Sequence, residues 1–143
     1  MYASVMQLKR LIFMSAGTSL LAEQIVAAFS SPGYSISLAR TVAAVRRLLA
    51  RDVYDLVLIE AQDPQKAYEA CRALRLHWRI PTVILNSDPS LLGQLECYDA
   101  GADLCLAAPI EVAELMARLR GLLRREEWNR QQDEDQFPAA TRR

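Results

Sequence analysis

The sequence predicts a three-layer α/β/α fold, in which a doubly wound sheet of five parallel strands lies between two layers of helices. Two observations support this prediction: short apolar runs of strand length recur along the chain, and segments with an apolar residue every three or four positions separate them. Because the short runs are almost continuously apolar, both faces of each strand are expected to be covered, as in a parallel sheet. Right-handed crossovers between successive strands then place helices on both faces.

The five predicted strands are the apolar runs, in chain order: 11–14, 36–39, 56–59, 82–85 and 104–106. In a sheet of this kind, ligands and reacting groups bind at the carboxyl ends of the strands. The segments that follow the strands are therefore the candidate site.

Five helices are predicted from the 3.6-residue periodicity, in chain order: 18–29, 41–50, 65–76, 90–100 and 111–125. Thr18 or Ser19 is a suitable N-cap for the first helix, and Thr41 for the second, because a hydroxyl accepts a hydrogen bond from an early backbone amide. Gly101 is expected to end the fourth helix.

The chain of 143 residues fits one domain over residues 1–125 and a polar C-terminal extension over 126–143, interpreted as helix passing into a flexible tail or linker. Such an extension suits a connector to an output domain or the end of a stand-alone adaptor. The 17 basic and 17 acidic side chains give zero formal net charge, which argues against direct nucleic acid binding by a broad cationic face. No apolar run reaches 18 residues. We therefore predict a cytoplasmic protein without a membrane segment.

The three cysteines argue against a disulfide scaffold and against a structural zinc site. Their number is odd, and they show neither a C-x-x-C spacing nor clustering with His77. Cys105, on the fifth apolar run, is expected to be a buried small hydrophobic residue.

Two stretches in the C-terminal half carry a family resemblance. Residues 99–109 read Asp-Ala-Gly-Ala-Asp-Leu-Cys-Leu-Ala-Ala-Pro, and residues 114–120 read Glu-Leu-Met-Ala-Arg-Leu-Arg. Three earlier features of the chain also match: Gly33-Tyr34, the third apolar run and Ile80-Pro81. In their order along the chain, all these motifs resemble the CheY-like receiver domains of response regulators. The resemblance covers about residues 8–125. It implies a (βα)₅ fold and a role in two-component, or phosphorelay, signalling.

The resemblance also implies a degenerate phosphorylation site. Family members hold Mg²⁺ with an acidic pair after the first strand, where this chain has Ser15 and Ala16, and they phosphorylate an aspartate at the position of Glu60. Three other positions depart from the family pattern. Asn86 stands where the family has a Thr or Ser, Ala108 where it has a lysine, and Cys105 where it has the switch aromatic. We therefore expect a pseudo-receiver that is not an enzyme, with no cofactor and little affinity for Mg²⁺. The Lys-Pro pair of the family corresponds to Ala108-Pro109, so a cis peptide bond is expected before Pro109.

Two interpretations of Glu60 stay open: a built-in imitation of the phosphorylated aspartate, or a solvated carboxylate at a strand end. Glu60, Asp63 and Asp88 also lie on the same predicted rim, and a residual cation site formed by the three is the less favoured alternative. The 15–19 loop, Ser-Ala-Gly-Thr-Ser, offers a different function, since hydroxyls at a helix start can bind the phosphate of a flavodoxin-like cofactor.

The resemblance implies a protein partner, or a homodimer, on the face made by the fourth helix, fifth strand and fifth helix. Asp103, Glu114 and Arg118 match charged positions used for pairing in the winged-helix branch of the family, whereas Gln94 and Leu104 depart from it. Glu114 and Arg118 also have the spacing of an ordinary helical ion pair. The function predicted is protein–protein interaction that does not depend on phosphorylation.

Overall fold

Five strands and five helices alternate strictly through the residues that the computed structural model describes, which are 8–15, 20–30 and 32–136. Their bounds are β1 Lys9–Ser15, α1 Leu20–Ala28, β2 Tyr34–Ala39, α2 Val42–Arg51, β3 Leu56–Glu60, α3 Pro64–Arg75, β4 Thr82–Asn86, α4 Leu91–Asp99, β5 Leu104–Ala107 and α5 Val112–Gln136. The strands form one sheet in the order β2-β1-β3-β4-β5, and every neighbouring pair is parallel. The predicted fold class is confirmed.

Alternate residues of each central strand enter two separate apolar cores. On β1, Ile12 and Met14 join the core beneath α2, α3 and α4, whereas Leu11 and Phe13 join the core beneath α1 and α5. All four side chains are at least nine-tenths buried. This two-sided burial explains why the strands read as continuous apolar runs rather than as alternating ones.

Polar residues at the helix starts act as predicted wherever the structure describes them. Thr41 Oγ1 accepts a hydrogen bond from Ala44 N at 3.1 Å, and Ser90 Oγ accepts one from Gly93 N at 3.0 Å. Gly101 follows α4 with φ of 104°, a conformation that a side chain disfavours. Thr18 and Ser19 lie outside the described residues.

The fifth helix is longer than its apolar pattern predicts. Its last buried residues are Leu122 and Leu123, but the helix continues to Gln136. No glycine or proline occurs between Gly121 and Pro138, so nothing in the sequence interrupts the backbone hydrogen bonds there. Of the extension predicted over 126–143, residues 126–136 are helical, and residues 137–143 lie outside the described part of the chain.

Within the described ranges, no helix combines the length and apolar character needed to cross a bilayer.

Candidate functional site

The carboxyl ends of β1 and β3 bring Ser15 and Glu60 together. The two residues are register partners on neighbouring strands, and Ser15 Oγ donates a hydrogen bond to Glu60 Oε1 at 2.9 Å. Ser15 is 9% exposed and Glu60 is half-buried. At the strand ends, one oxygen of the Glu60 carboxylate is therefore hydrogen-bonded to a neutral hydroxyl.

Asn86, at the end of β4, is an internal anchor. It is 3% exposed; its Nδ2 donates to Gly93 O at 3.1 Å, and its Oδ1 accepts from Asp88 N at 3.1 Å and from the Tyr68 hydroxyl at 2.8 Å. These bonds join the end of β4 to the first turn of α4 and to α3. The side chain is turned inward to the protein and is not presented to a ligand.

Tyr68 is the site residue that sequence reasoning missed. It lies on α3 with no exposed surface, and its hydroxyl is also 3.1 Å from Gly93 O. Burial raises its pKa, so the phenol stays protonated and acts as a donor. In the sequence, Tyr68 is a single tyrosine on the apolar face of a predicted helix. That pattern predicts its burial but not its hydrogen bond to Asn86.

The acidic residues of the rim are used in local turns. Asp63 Oδ1 accepts from Gln65 N at 3.0 Å as the N-cap of α3, and Asp88 Oδ1 accepts from Ser90 N at 3.0 Å. Hydrogen bonds from the Ser90 side chain and backbone lower the pKa of Asp88, which keeps it ionised. In the described ranges, no three acidic, cysteine or histidine residues converge as a metal site would require.

Ala108 occupies the position where the resemblance expects a lysine. Its backbone N donates to Asn86 O at 2.9 Å, and its methyl group is half-buried at the end of β5. The peptide bond between Ala108 and Pro109 is cis, as the sequence predicts. The cis peptide bond of the family's Lys-Pro pair is thus present after β5, whereas the positive charge of the lysine is absent at residue 108.

Cys105 is not the isolated apolar residue that was expected. It is half-buried and forms a disulfide bond with Cys97 at the end of α4, while Cys71 remains free and buried. The expectation that Cys105 is a buried small hydrophobic residue was therefore wrong. Residues 97 and 105 lie four positions before and four after Gly101, and the turn at this glycine folds α4 back onto β5. The sequence was searched for C-x-x-C spacing, and that search does not detect two cysteines that a turn brings together.

Asp103, predicted to belong to a docking surface, binds groups of its own chain. Its Oδ2 accepts from Thr82 N at 2.7 Å and forms an ion pair with Arg75. The Arg75 guanidinium also donates to Gly101 O at 2.7 Å and to Ile80 O at 2.8 Å. This network connects α3, β4 and the turn before β5, which gives Asp103 a structural role.

The other predicted surface residues are exposed on α4 and α5. Gln94 Nε2 donates to Pro89 O at 3.2 Å, within its own helix start. Glu114 and Arg118 form an i,i+4 ion pair with 3.8 Å between Oε1 and Nη2, and both side chains are more than half exposed. Four apolar side chains of α4, here called the α4 stripe, are between 48% and 72% exposed: Leu91, Leu92, Leu95 and Tyr98.

The loop residues 16–19 lie outside the described part of the chain, so Ala16 has no structural account. Of the 15–19 loop proposed as a phosphate cradle, Ser15 is described, and its hydroxyl donates to a carboxylate. A carboxylate beside the hydroxyl is unfavourable for a bound phosphate, because like charges repel.

The chain has relatives at both the sequence and the structure level. No family model matches the chain. The response regulator MprA of Mycobacterium leprae is 34% identical over 105 residues, which cover 72% of this chain and 46% of MprA. MprA of Mycolicibacterium vanbaalenii is 35% identical with the same coverage. This chain belongs to the CheY-like receiver family of response regulators.

Solved receiver structures show the same fold at low identity. The signal receiver domain of an HD domain-containing protein from Pseudomonas fluorescens superposes with a TM-score of 0.77 at 21% identity, covering 91% of this chain and 97% of that domain. The Francisella response regulator 1452 receiver domain gives a TM-score of 0.73 at 22% identity, covering 82% of this chain and 98% of that domain. This chain spans less than half the length of the MprA relatives.

Proposed function

We propose that this receiver domain takes part in two-component signalling through protein contacts that do not depend on aspartyl phosphorylation. The observation that carries the proposal is the Ser15–Glu60 hydrogen bond at the position of the phosphoacceptor. The carboxylate is one methylene longer than an aspartate and is held by a neutral hydroxyl. Phosphoryl transfer depends on positioning, and such a displacement opposes an in-line attack.

The charges around Glu60 support the same proposal. The segments 60–64, 86–90 and 107–109 contain no lysine or arginine, and they carry three carboxylates, at Glu60, Asp63 and Asp88. A transferred phosphoryl group would therefore meet negative charge without a balancing cation. Asp63 and Asp88 accept backbone hydrogen bonds in turns and do not form an Mg²⁺ cage with Glu60. We accordingly propose a domain that is not an enzyme and uses neither Mg²⁺ nor another cofactor.

Intact mass after incubation with acetyl phosphate tests this proposal. We expect no gain of a phosphoryl group, with or without Mg²⁺. A stoichiometric, Mg²⁺-dependent gain that maps to Glu60, Asp63 or Asp88 would overturn it. A phosphorylatable receiver domain, treated in parallel, confirms that the reagent is active.

We further propose that the partner, either another protein or a second copy, docks on the face of α4, β5 and α5. The support is the α4 stripe, in which Leu91, Leu95 and Tyr98 follow one another at helical spacing on one exposed face. Exposed apolar side chains that form one contiguous face are typical of interaction sites. The Asp103 carboxylate is already paired with Arg75 of its own chain.

Sedimentation velocity and partner capture of Leu95→Glu test this surface. We expect the variant to lose self-association or partner binding while its far-UV circular dichroism is unchanged, because Leu95 is 54% exposed. Leu38→Glu is the matched control, since Leu38 is 58% exposed and lies on β2, at the opposite edge of the sheet. Equal behaviour of the two variants would exclude the α4 stripe as the docking surface.

A further inference from the structure

The Cys97–Cys105 disulfide connects α4 to β5. Cys97 is on the last turn of α4, Cys105 is on β5, and their Cα atoms are 6.4 Å apart. Of the nine residues of α4, all of them described, just Gly93 and Cys97 are buried. Gly93 has no side chain, so Cys97 supplies the one fully buried side chain by which α4 packs on the sheet.

The remaining attachments of α4 are polar and are concentrated away from β5. Gly93 O accepts from Asn86 Nδ2 at 3.1 Å, and Glu96 Oε2 accepts from Gln65 Nε2 at 2.5 Å on α3. On the β5 side, Cys105 N donates to the Tyr98 hydroxyl at a longer 3.3 Å. A helix with so little buried apolar surface is expected to open at low free-energy cost once a covalent link is removed.

We propose that Cys97 and Cys105 form a reversible dithiol–disulfide switch that controls how firmly α4 and its exposed apolar stripe are held against β5. The bonded state fixes the stripe in one position beside β5. In the dithiol state the helix is attached by its polar contacts alone, at Gly93, Glu96 and Tyr98. The consequence for partner binding rests on the function proposed above, whereas the switch itself is a property of this chain alone.

The redox step is a thiol–disulfide exchange with a low-molecular-weight thiol of the glutathione class. A thiolate attacks Sγ of Cys105, the half-buried sulfur, and the S–S electron pair moves to Sγ of Cys97, which takes a proton. A second thiolate attacks the external sulfur of the mixed disulfide, and Cys105 leaves as a thiolate and is protonated. Two thiols thereby become one external disulfide, and the protein gains two thiols.

The third cysteine is separated from this exchange by its environment. Cys71 has no exposed surface, and burial raises the pKa of its thiol. The thiolate is the attacking species, so a raised pKa makes Cys71 a poor competitor. This makes Cys71→Ala a suitable control variant.

The test combines cysteine alkylation with amide hydrogen exchange on the full chain in graded glutathione redox buffers. We expect residues 97 and 105 to lose alkylation together as the buffer becomes oxidising, while amides of 91–99 exchange about tenfold more slowly in the bonded state. Cys71→Ala should show the same paired transition. Cys97→Ala and Cys105→Ala should each show fast α4 exchange in every buffer.

Three results would overturn the switch: alkylation of both cysteines in fully oxidising buffer, a bond that excess thiol does not reduce in the folded chain, or equal α4 exchange in both states. Since Cys97→Ala removes a buried side chain, Cys105→Ala, at the half-buried end of the bond, provides the second variant if the first does not fold. These readouts do not involve a partner. The Leu95→Glu experiment therefore fails or succeeds independently of them.

Discussion

At the scale of single residues, the polar side chains that end β1, β3 and β4 form hydrogen bonds within the protein. Asn86 stands where the resemblance expects a hydroxyl residue, and both ends of its amide are bonded to the protein. A buried amide with satisfied donors and acceptor stabilises the fold, but deleting it leaves several groups without partners. Asn86 is therefore expected to contribute to stability.

Asn86→Ala should lower the free energy of unfolding by about 2 to 3 kcal/mol, because the amides and hydroxyl that it serves lose a partner in a buried site. Tyr68→Phe removes one hydroxyl and leaves the Asn86–Asp88 bond, so its expected loss is about 1 kcal/mol. Urea denaturation of both variants measures the difference. A loss below about 0.5 kcal/mol for Asn86→Ala would contradict the anchoring role.

Asp103→Ala should also destabilise the fold, by about 1.5 to 3 kcal/mol, since Arg75 and Thr82 N both lose their acceptor. Glu114→Ala is the comparison, because its exposed i,i+4 pair with Arg118 is worth only a few tenths of a kcal/mol. Thermal unfolding of the two variants tests the contrast. Equal losses of stability in the two variants would contradict the structural role of Asp103.

The positions of the site residues could be predicted from the sequence, but their partners could not. Ser15, Glu60 and Asn86 each end an apolar run, so their placement at the carboxyl edge follows from the fold. The Ser15–Glu60 bond depends on the parallel register of β1 and β3, and the Asp103–Arg75 pair joins residues 28 positions apart. Hydrophobic periodicity does not predict contacts between residues that lie so far apart in the sequence.

At the scale of elements, α4 is the exceptional helix because its two buried positions are a glycine and a disulfide cysteine. A Cβ at Gly93 would lie 2.4 Å from Asp88 Cγ and 2.5 Å from Asp88 O. The backbone carbonyl cannot move without changing the turn that starts the helix. The glycine is therefore required by close packing, although glycine is a poor helix former.

Gly93→Ala should destabilise the fold by about 1 to 3 kcal/mol, since overpacking outweighs the gain in helix propensity. Gly121→Ala is the matched control on α5: its added Cβ meets nothing nearer than Arg124 Nη2 at 3.8 Å. That variant should gain about 0.5 to 1 kcal/mol from propensity alone. Opposite signs in urea denaturation support the packing argument, and a stabilising Gly93→Ala would contradict it.

Periodicity located every element, including α4, whose apolar side chains are mostly exposed. It did not predict the end of α5, where the apolar face stops after Leu123 while the backbone remains helical to Gln136. Side-chain patterns report packing, and a helix that extends beyond its packing partners leaves no such signal.

At the scale of the whole molecule, the folded unit ends where burial ends. The 126–133 side chains are exposed except for the half-buried Glu126, and Glu127 contacts the sheet through an ion pair of 3.5 Å with Lys9. Partly exposed pairs of this kind contribute about 0 to 1 kcal/mol. By contrast, Leu122 and Leu123 are 5% and 4% exposed in the core beneath α1 and α5.

A chain ending at residue 125 should therefore fold with a free energy of unfolding within about 1 kcal/mol of the full chain. A chain ending at residue 120 loses both leucines, each worth about 2 to 5 kcal/mol, out of a typical total of about 5 to 15 kcal/mol. We expect that shorter chain to be largely unfolded by circular dichroism. A loss of several kcal/mol on truncation at 125 would show that the extension packs on the domain and belongs to its folded unit.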